Sequence, residues 1–150
     1  MMFLTHLLFG ILAGIIGCDF LNCNNLVLFI STAAVFSSLP DIDHLGSKIS
    51  RILPPFAIVA KLFFKHRGFT HSIFPALLLY IIVASVSKEL AAAVMIGYLS
   101  HILLDATTKK GIAPFTPFSK LKINGILKTN SFAERIMMFA ILSAIVLQLF

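Results

Sequence analysis

Apolar residues gather in five runs, at about 2–18, 26–39, 73–87, 90–105 and 136–150, and polar residues collect between them. Each run is shorter than the roughly 20 residues that cross a bilayer comfortably. Tight helices with flanking residues, half-inserted segments or a locally thinned bilayer accommodate such lengths. The runs at 73–87 and 90–105 touch at Lys88-Glu89 and predict a helical hairpin. Two polar loops, roughly 40–72 and 106–135, carry the chain breakers. Pro40, Gly46, Pro54, Pro55 and Gly68 lie in the first; Gly111, Pro114, Pro117 and Gly125 lie in the second. The first loop also suggests an interfacial helix through Phe56–Phe64. There is no internal repeat and no low-complexity tract. The pattern predicts an all-α, polytopic membrane helical bundle of four to five helices, one domain over residues 1–150.

Composition agrees. Of the 150 residues, 59% are hydrophobic and 12% charged, whereas a soluble domain carries about 25% charged residues. The net charge of +6 reads as cytoplasmic loop charge in contact with anionic lipid headgroups. No stripe of interleaved basic and aromatic residues supports direct nucleic-acid binding. Lys48, Arg51, Lys61, Lys65 and Arg67 lie in the first loop, and Lys109, Lys110, Lys120, Lys122, Lys128 and Arg135 in the second. The loop at 19–25 has no basic residue and the hairpin turn has only Lys88. Eleven of twelve positive charges therefore fall on one side, which predicts that both long loops and the N-terminus are cytoplasmic. With five spans the C-terminus lies opposite. Ile15-Ile16-Gly17-Cys18 has the form of a lipoprotein cleavage box, but the first seventeen residues hold no Lys or Arg, so Met1–Cys18 reads as a retained helix. Cys18 and Cys23 read as two free thiols, a bridge being open to them on an oxidising face.

The ionisable residues then fall into a pattern. His6 starts the first helix; Asp41, Asp43 and His44 follow the second; His66 and His71 enter the third; His101 and Asp105 end the fourth. Every histidine and three of four aspartates thus reach one membrane level, and Asp19 alone falls on the other side without a partner. His101 and Asp105, at i and i+4, share a helix face and are spaced to grip one ion. Asp41-Ile42-Asp43 puts two carboxylates on one side of an extended turn. Gly68 turns the backbone after His66, so that a helix starts near Thr70–Ser72 with His71 in or beside its first turn. Carboxylates inside a membrane protein are costly unless paired or metal-bound.

His6, Asp41, Asp43, His66, His71, His101 and Asp105 exceed the roughly three ligands that one catalytic zinc needs. They suit two divalent ions with an aspartate as the bridge. Nitrogen and oxygen ligands without thiolate favour Zn, then Mn or Fe, over Mg or Ca. Arg67 is a natural phosphate clamp, and His44 a supporting or substrate contact. Each residue alone has a quieter reading. His6 would be an interfacial histidine, Asp41 and Asp43 the caps of a helix near Leu45, and His101 with Asp105 a bonded pair closing the hairpin. His66 and His71 would touch headgroups, and Arg67 would be loop charge. What those readings leave unexplained is the coincidence at one level.

Leu39-Pro40-Asp41-Ile42-Asp43-His44, His66-Arg67-Gly68-Phe69-Thr70-His71-Ser72 and Gly97-Tyr98-Leu99-Ser100-His101-Ile102-Leu103-Leu104-Asp105, in that order, resemble the YdjM family. Its members are small bacterial and archaeal inner-membrane-associated proteins described as predicted metal-dependent hydrolases and, for some, as LexA-binding. Thr5-His6, and Thr107–Gly111 followed by Pro114 and Pro117, match the same pattern, so the resemblance covers residues 1 to about 120. It implies a membrane bundle in the cell inner membrane with a metal site built from these residues. A LexA-type protein partner is implied by the family label only. The His101-x-x-x-Asp105 element is also similar, more remotely, to one in zinc-dependent phospholipase C and P1-type nucleases, which cleave phosphoesters.

The resulting expectation is a membrane-bound metal-dependent hydrolase with its site at the cytoplasmic face. Asp41 and Asp43 bridge metals or handle the proton, and Arg67 and His44 hold the substrate anion. A lipid-derived phosphoester fits a site at headgroup depth, with membrane lipid as the partner. The alternative is a non-enzymatic membrane protein whose metal or polar cluster is structural and whose loops bind a protein. Metal transport is a third class, and it predicts ligands nearer mid-membrane.

Overall fold

The first apolar run folds as helix α1, Phe3–Leu21, and its end is set by Asn22 in the left-handed conformation (φ 51°). Asn22 N–H donates to Asp19 O (3.4 Å) and Cys23 N–H to Cys18 O (3.0 Å), the paired bonds that close a helix and bring the two flanking residues together. Here those residues are Cys18 and Cys23, with Cα atoms 4.9 Å apart, and they are joined as a disulfide. This corrects the expectation of free thiols. Spacing alone did not reveal that Asn22 reverses the chain between them.

The computed structural model describes the chain except for residues 44–46, 53, 56–57, 59–67 and 150. Helix α2 is Leu26–Phe36, followed by a 3-10 turn at Leu39–Asp43 and a short α3 at Lys48–Ile52. A second 3-10 turn, Phe69–His71, leads into α4, Ile73–Ala84; α5 is Lys88–Ala106 and α6 is Phe132–Leu149. Among the described residues there is no β-strand. Most of the expected interfacial helix at Phe56–Phe64 lies outside the described residues. The hairpin turn falls just before Lys88-Glu89, because the Ser87 side chain accepts from Leu90 N–H (3.2 Å) and starts α5 there.

Among the described residues, four segments are long and apolar enough to cross a membrane: Phe3–Leu21, Leu26–Asp43, Lys88–Ala106 and Phe132–Leu149. The 12-residue α4 is shorter and packs along α5. Val27, Ile81, Leu103, Phe139 and Leu147 are all exposed on these helices, an apolar surface that water would penalise and lipid does not.

Small residues let the central helices approach. A Cβ on Gly14 would lie 3.1 Å from Ala33 Cβ, and one on Gly97 would run into the Ala33 backbone. Helices α1, α2 and α5 therefore touch closely along this seam, as membrane helices do where glycine and alanine face each other. Helix α6 lies along α1, with Ile141 and Ile145 against Ile15. At their C-terminal ends Gln148 Nε2 donates to Asp19 Oδ2 (3.2 Å), so Asp19 has a partner that the sequence did not disclose. At the same end Glu89 accepts from the Asn24 backbone N–H (2.9 Å) and Asn24 Nδ2 (2.8 Å). That ties the α1–α2 turn to the α4–α5 hairpin. The starts of α1, α4 and α6 and the ends of α2 and α5 share the other end.

Candidate metal centre

Gly97 lies one helical turn before His101, so the contact that seats α5 on Ala33 also brings His101 to the end of α2. His101 Nδ1 donates to Ser37 O at 2.7 Å. That bond fixes the tautomer and leaves the Nε2 lone pair pointing inward. One turn on, Asp105 Oδ2 stands 4.0 Å from His101 Nε2, as the i, i+4 spacing predicted. Asp105 Oδ1 accepts from the Met1 amino group at 2.9 Å and lies 3.5 Å from His6 Nε2.

His71 is held from outside by a chain of side chains. Thr70 Oγ1 donates to Asp43 Oδ2 at 2.5 Å, which leaves its oxygen to accept from His71 Nδ1 at 3.1 Å. The Tyr98 hydroxyl donates to the Thr70 carbonyl. His71 Nε2 then faces Asp41 Oδ1 at 3.4 Å and Asp105 Oδ2 at 3.8 Å, and His101 Nε2 is 3.9 Å from Asp41 Oδ1. His6 stacks on His101 with ring centroids 3.8 Å apart.

Asp41 Oδ1 and Asp105 Oδ2 each stand within 4.0 Å of both His71 Nε2 and His101 Nε2. Ligands held 2.0–2.2 Å from one zinc in a tetrahedron lie about 3.3–3.6 Å from each other, at the short end of the 3.4–4.0 Å seen for these four pairs. Among the described residues two triads could hold an ion, His6–Asp41–His101 and His71–His101–Asp105. His6, His71, His101 and Asp105 are fully buried, and Asp41 is the one with exposure, at 20%. Neither ring nitrogen of His6, nor His101 Nε2, makes a hydrogen bond among the described residues. Buried imidazole nitrogens left this way are costly, and a divalent cation is what this donor set satisfies. The residues fit the ion.

The two aspartates of the Leu39–Asp43 turn do different things. An extended turn would have put both carboxylates on one side; the 3-10 turn observed has three residues per revolution, so they diverge. Asp41 reaches the inner side of His71, while Asp43 takes the outer side, 3.9 Å from Nδ1. Asp43 thus stands behind a ligand and outside both triads. His66, Arg67 and His44 lie outside the described residues. Sequence reasoning missed Ser37 and Thr70, whose roles rest on a backbone carbonyl and a neighbouring ring and leave no spacing to read. It also missed Glu134. Ser131-Phe132-Ala133-Glu134, just before an apolar run, is a helix-start signature that was there to be found.

A polytopic helical membrane protein with a buried histidine–aspartate centre at one end is the class these features define. The chain belongs to the YdjM family: the pattern described as YdjM inner membrane protein matches residues 1–149. It is 36% identical over 115 residues to the uncharacterized protein YvsG of Bacillus subtilis (strain 168), covering 75% of this chain and 72% of that one. To the inner membrane protein YdjM of Escherichia coli (strain K12) it is 34% identical over 99 residues, and the Shigella flexneri protein of that name matches equally. These last matches span 59% of this chain and 48% of the relatives' length. No solved structure matches it.

Proposed function

We propose that this chain is a membrane-bound, metal-dependent hydrolase acting on a phosphoester derived from lipid. The observation that carries the reading is the convergence of Asp41, His71, His101 and Asp105, with His6 stacked beside them, on one small volume. When bound, a divalent ion supplies Lewis acidity, acidifying water and offsetting charge on a phosphoryl oxygen. The protein's own groups do the rest. Ser37 and Thr70 hold two imidazoles with their Nε2 atoms inward. Asp41 commits Oδ1 to His71 and His101, and its Oδ2 is the atom assigned to take the proton from water. As the exposed donor, Asp41 marks the side from which substrate enters. Arg67 is assigned to clamp the phosphoryl anion.

One centre is the number the described donors support. Both triads use His101, whose Nδ1 is committed to Ser37, and the single lone pair left on a neutral imidazole serves one ion. A second ion would draw on His66. Zn is the first choice, with Mn or Fe next. The basic loops favour a cytoplasmic face, at headgroup depth, which is the argument for a lipid-like substrate.

Elemental analysis of protein purified without chelator, paired with hydrolysis of a lipid-like phosphodiester, tests the reading. Asp41→Asn removes the charge and the base while keeping the shape, so hydrolysis should fall by at least the 10²–10⁴ typical of losing a general base. The protein should still insert and purify. Metal-loaded wild type that cleaves nothing across phosphoesters, amides and esters would turn the conclusion to the second reading. That reading has its own support in the near-complete burial of the donors, which suits a structural ion clamping α1, α2 and α5 together.

A further inference from the structure

One buried ionisable group plays no part in the centre. Glu134, on α6, has no exposure at all, and its carboxylate faces no lysine or arginine among the hydrogen bonds and ion pairs of the described residues. Its partners are the starts of two helices. Oε1 accepts from the Met2 backbone N–H at 2.6 Å and from Thr5 Oγ1 at 3.2 Å, both in the entry to α1. Oε2 accepts from the Asn130 backbone N–H at 2.6 Å, just before α6, while the Glu134 N–H donates to Ser131 Oγ at 3.3 Å. In the usual helix-start arrangement the glutamate bonds back only within its own helix. Here it also reaches across to the neighbouring helix. Two helix N-termini carry positive partial charge, and backbone N–H groups at both donate to this side chain.

His6 follows Thr5 directly, and neither of its ring nitrogens makes a hydrogen bond among the described residues. The ring is stacked flat on His101, 11° from parallel. Its Nε2 stands 3.5 Å from Asp105 Oδ1, and its place in the centre follows where the first turn of α1 sits, a turn tied by Glu134 and by the Met1 amino group on Asp105. We infer that Glu134 is a positioning residue for metal binding: it locks the start of α1 to the start of α6 and so holds His6 in the centre. The inference rests on the metal reading above, and it adds a role for α6, a helix that supplies no ligand.

The test is a double-mutant cycle read by Zn²⁺ affinity, measured on detergent-purified protein by competition with a chromophoric chelator. Glu134→Ala should weaken Zn²⁺ binding about 10- to 100-fold, the range for removing a group that orients a ligand. If Glu134 acts through His6, the double variant Glu134→Ala/His6→Ala should bind no more weakly than His6→Ala alone. Additive losses, or unchanged affinity in Glu134→Ala, would overturn the inference. Glu134→Gln keeps one acceptor and should fall between wild type and Ala, which serves as the readout if the Ala variant fails to fold. A second measurement needs no metal: imidazole resonances of labelled protein. The His6 ring should lose its single stacked environment in Glu134→Gln while His101, held by Ser37, keeps its own. A wild type that binds no Zn²⁺ sinks the metal reading, and the His6 resonances still decide whether Glu134 places that ring.

Discussion

At the scale of single residues, the centre divides into atoms that face inward and atoms that aim them. His101 and Asp105 face inward from adjacent turns of α5. His101→Ala and Asp105→Ala should each lower bound metal by more than the roughly 10–100-fold that loss of a supporting group costs. Asp19→Asn, at the opposite end of α1, should leave metal content unchanged. Elemental analysis of the three variants checks this, and equal losses in all three would dissolve the site. Thr70 is an aiming residue. Thr70→Val removes the oxygen between Asp43 and His71, and should weaken Zn²⁺ binding about 10- to 100-fold without loss of ligands. Sequence spacing reached His101 and Asp105 because a helix has a known period. It gave no access to Thr70, since whether Asp43 touches the ring directly or through a hydroxyl depends on the turn that separates it from Asp41.

At the scale of helices, the site depends on how closely α5 meets α2. Gly97 faces the backbone of Ala33 with no room for a side chain. Gly97→Val would push α5 away and draw His101 off Ser37 O. Overpacking of this kind costs about 1–3 kcal/mol or more, and here metal affinity should fall with stability. Thermal unfolding and chelator competition on the same preparation would show both losses. A destabilised variant with full affinity would mean that the centre tolerates a looser seam. The apolar runs announced these helices to within a few residues, because burial in lipid demands continuous apolar stretches with internally bonded backbone. The seam was not legible. A glycine in an apolar run looks the same whether it faces lipid or another helix.

At the scale of the whole molecule, two expectations follow from the arrangement of ends. The described parts of both long loops lie at the end that holds the centre, and the Cys18–Cys23 pair lies at the other. Cysteines placed at the exposed positions Ile52 and Ile126, in a variant lacking Cys18 and Cys23, should be shielded from an impermeant thiol reagent in intact cells. One placed at the exposed Val86 should be labelled. The reverse pattern would turn the molecule over without disturbing the site. Removing metal should lower the unfolding temperature as well: an ion present at 100 times its Kd contributes about 2.7 kcal/mol. A chelator that leaves the melting profile untouched would argue that no ion links the helices.

The sequence by itself determined that the chain is a helical membrane protein. It also determined that His6, His71, His101 and three aspartates meet at one end, since apolar run lengths and the alternation of chain direction leave little freedom. The tertiary structure decided which of those groups face each other. The 3-10 turn sends Asp41 and Asp43 to opposite sides of His71, Asn22 closes α1 so that two cysteines bond, and Glu134 ties α6 to the start of α1. These are matters of side-chain direction across elements far apart in the chain, set by backbone turns and by how closely helices pack, to which residue spacing is blind.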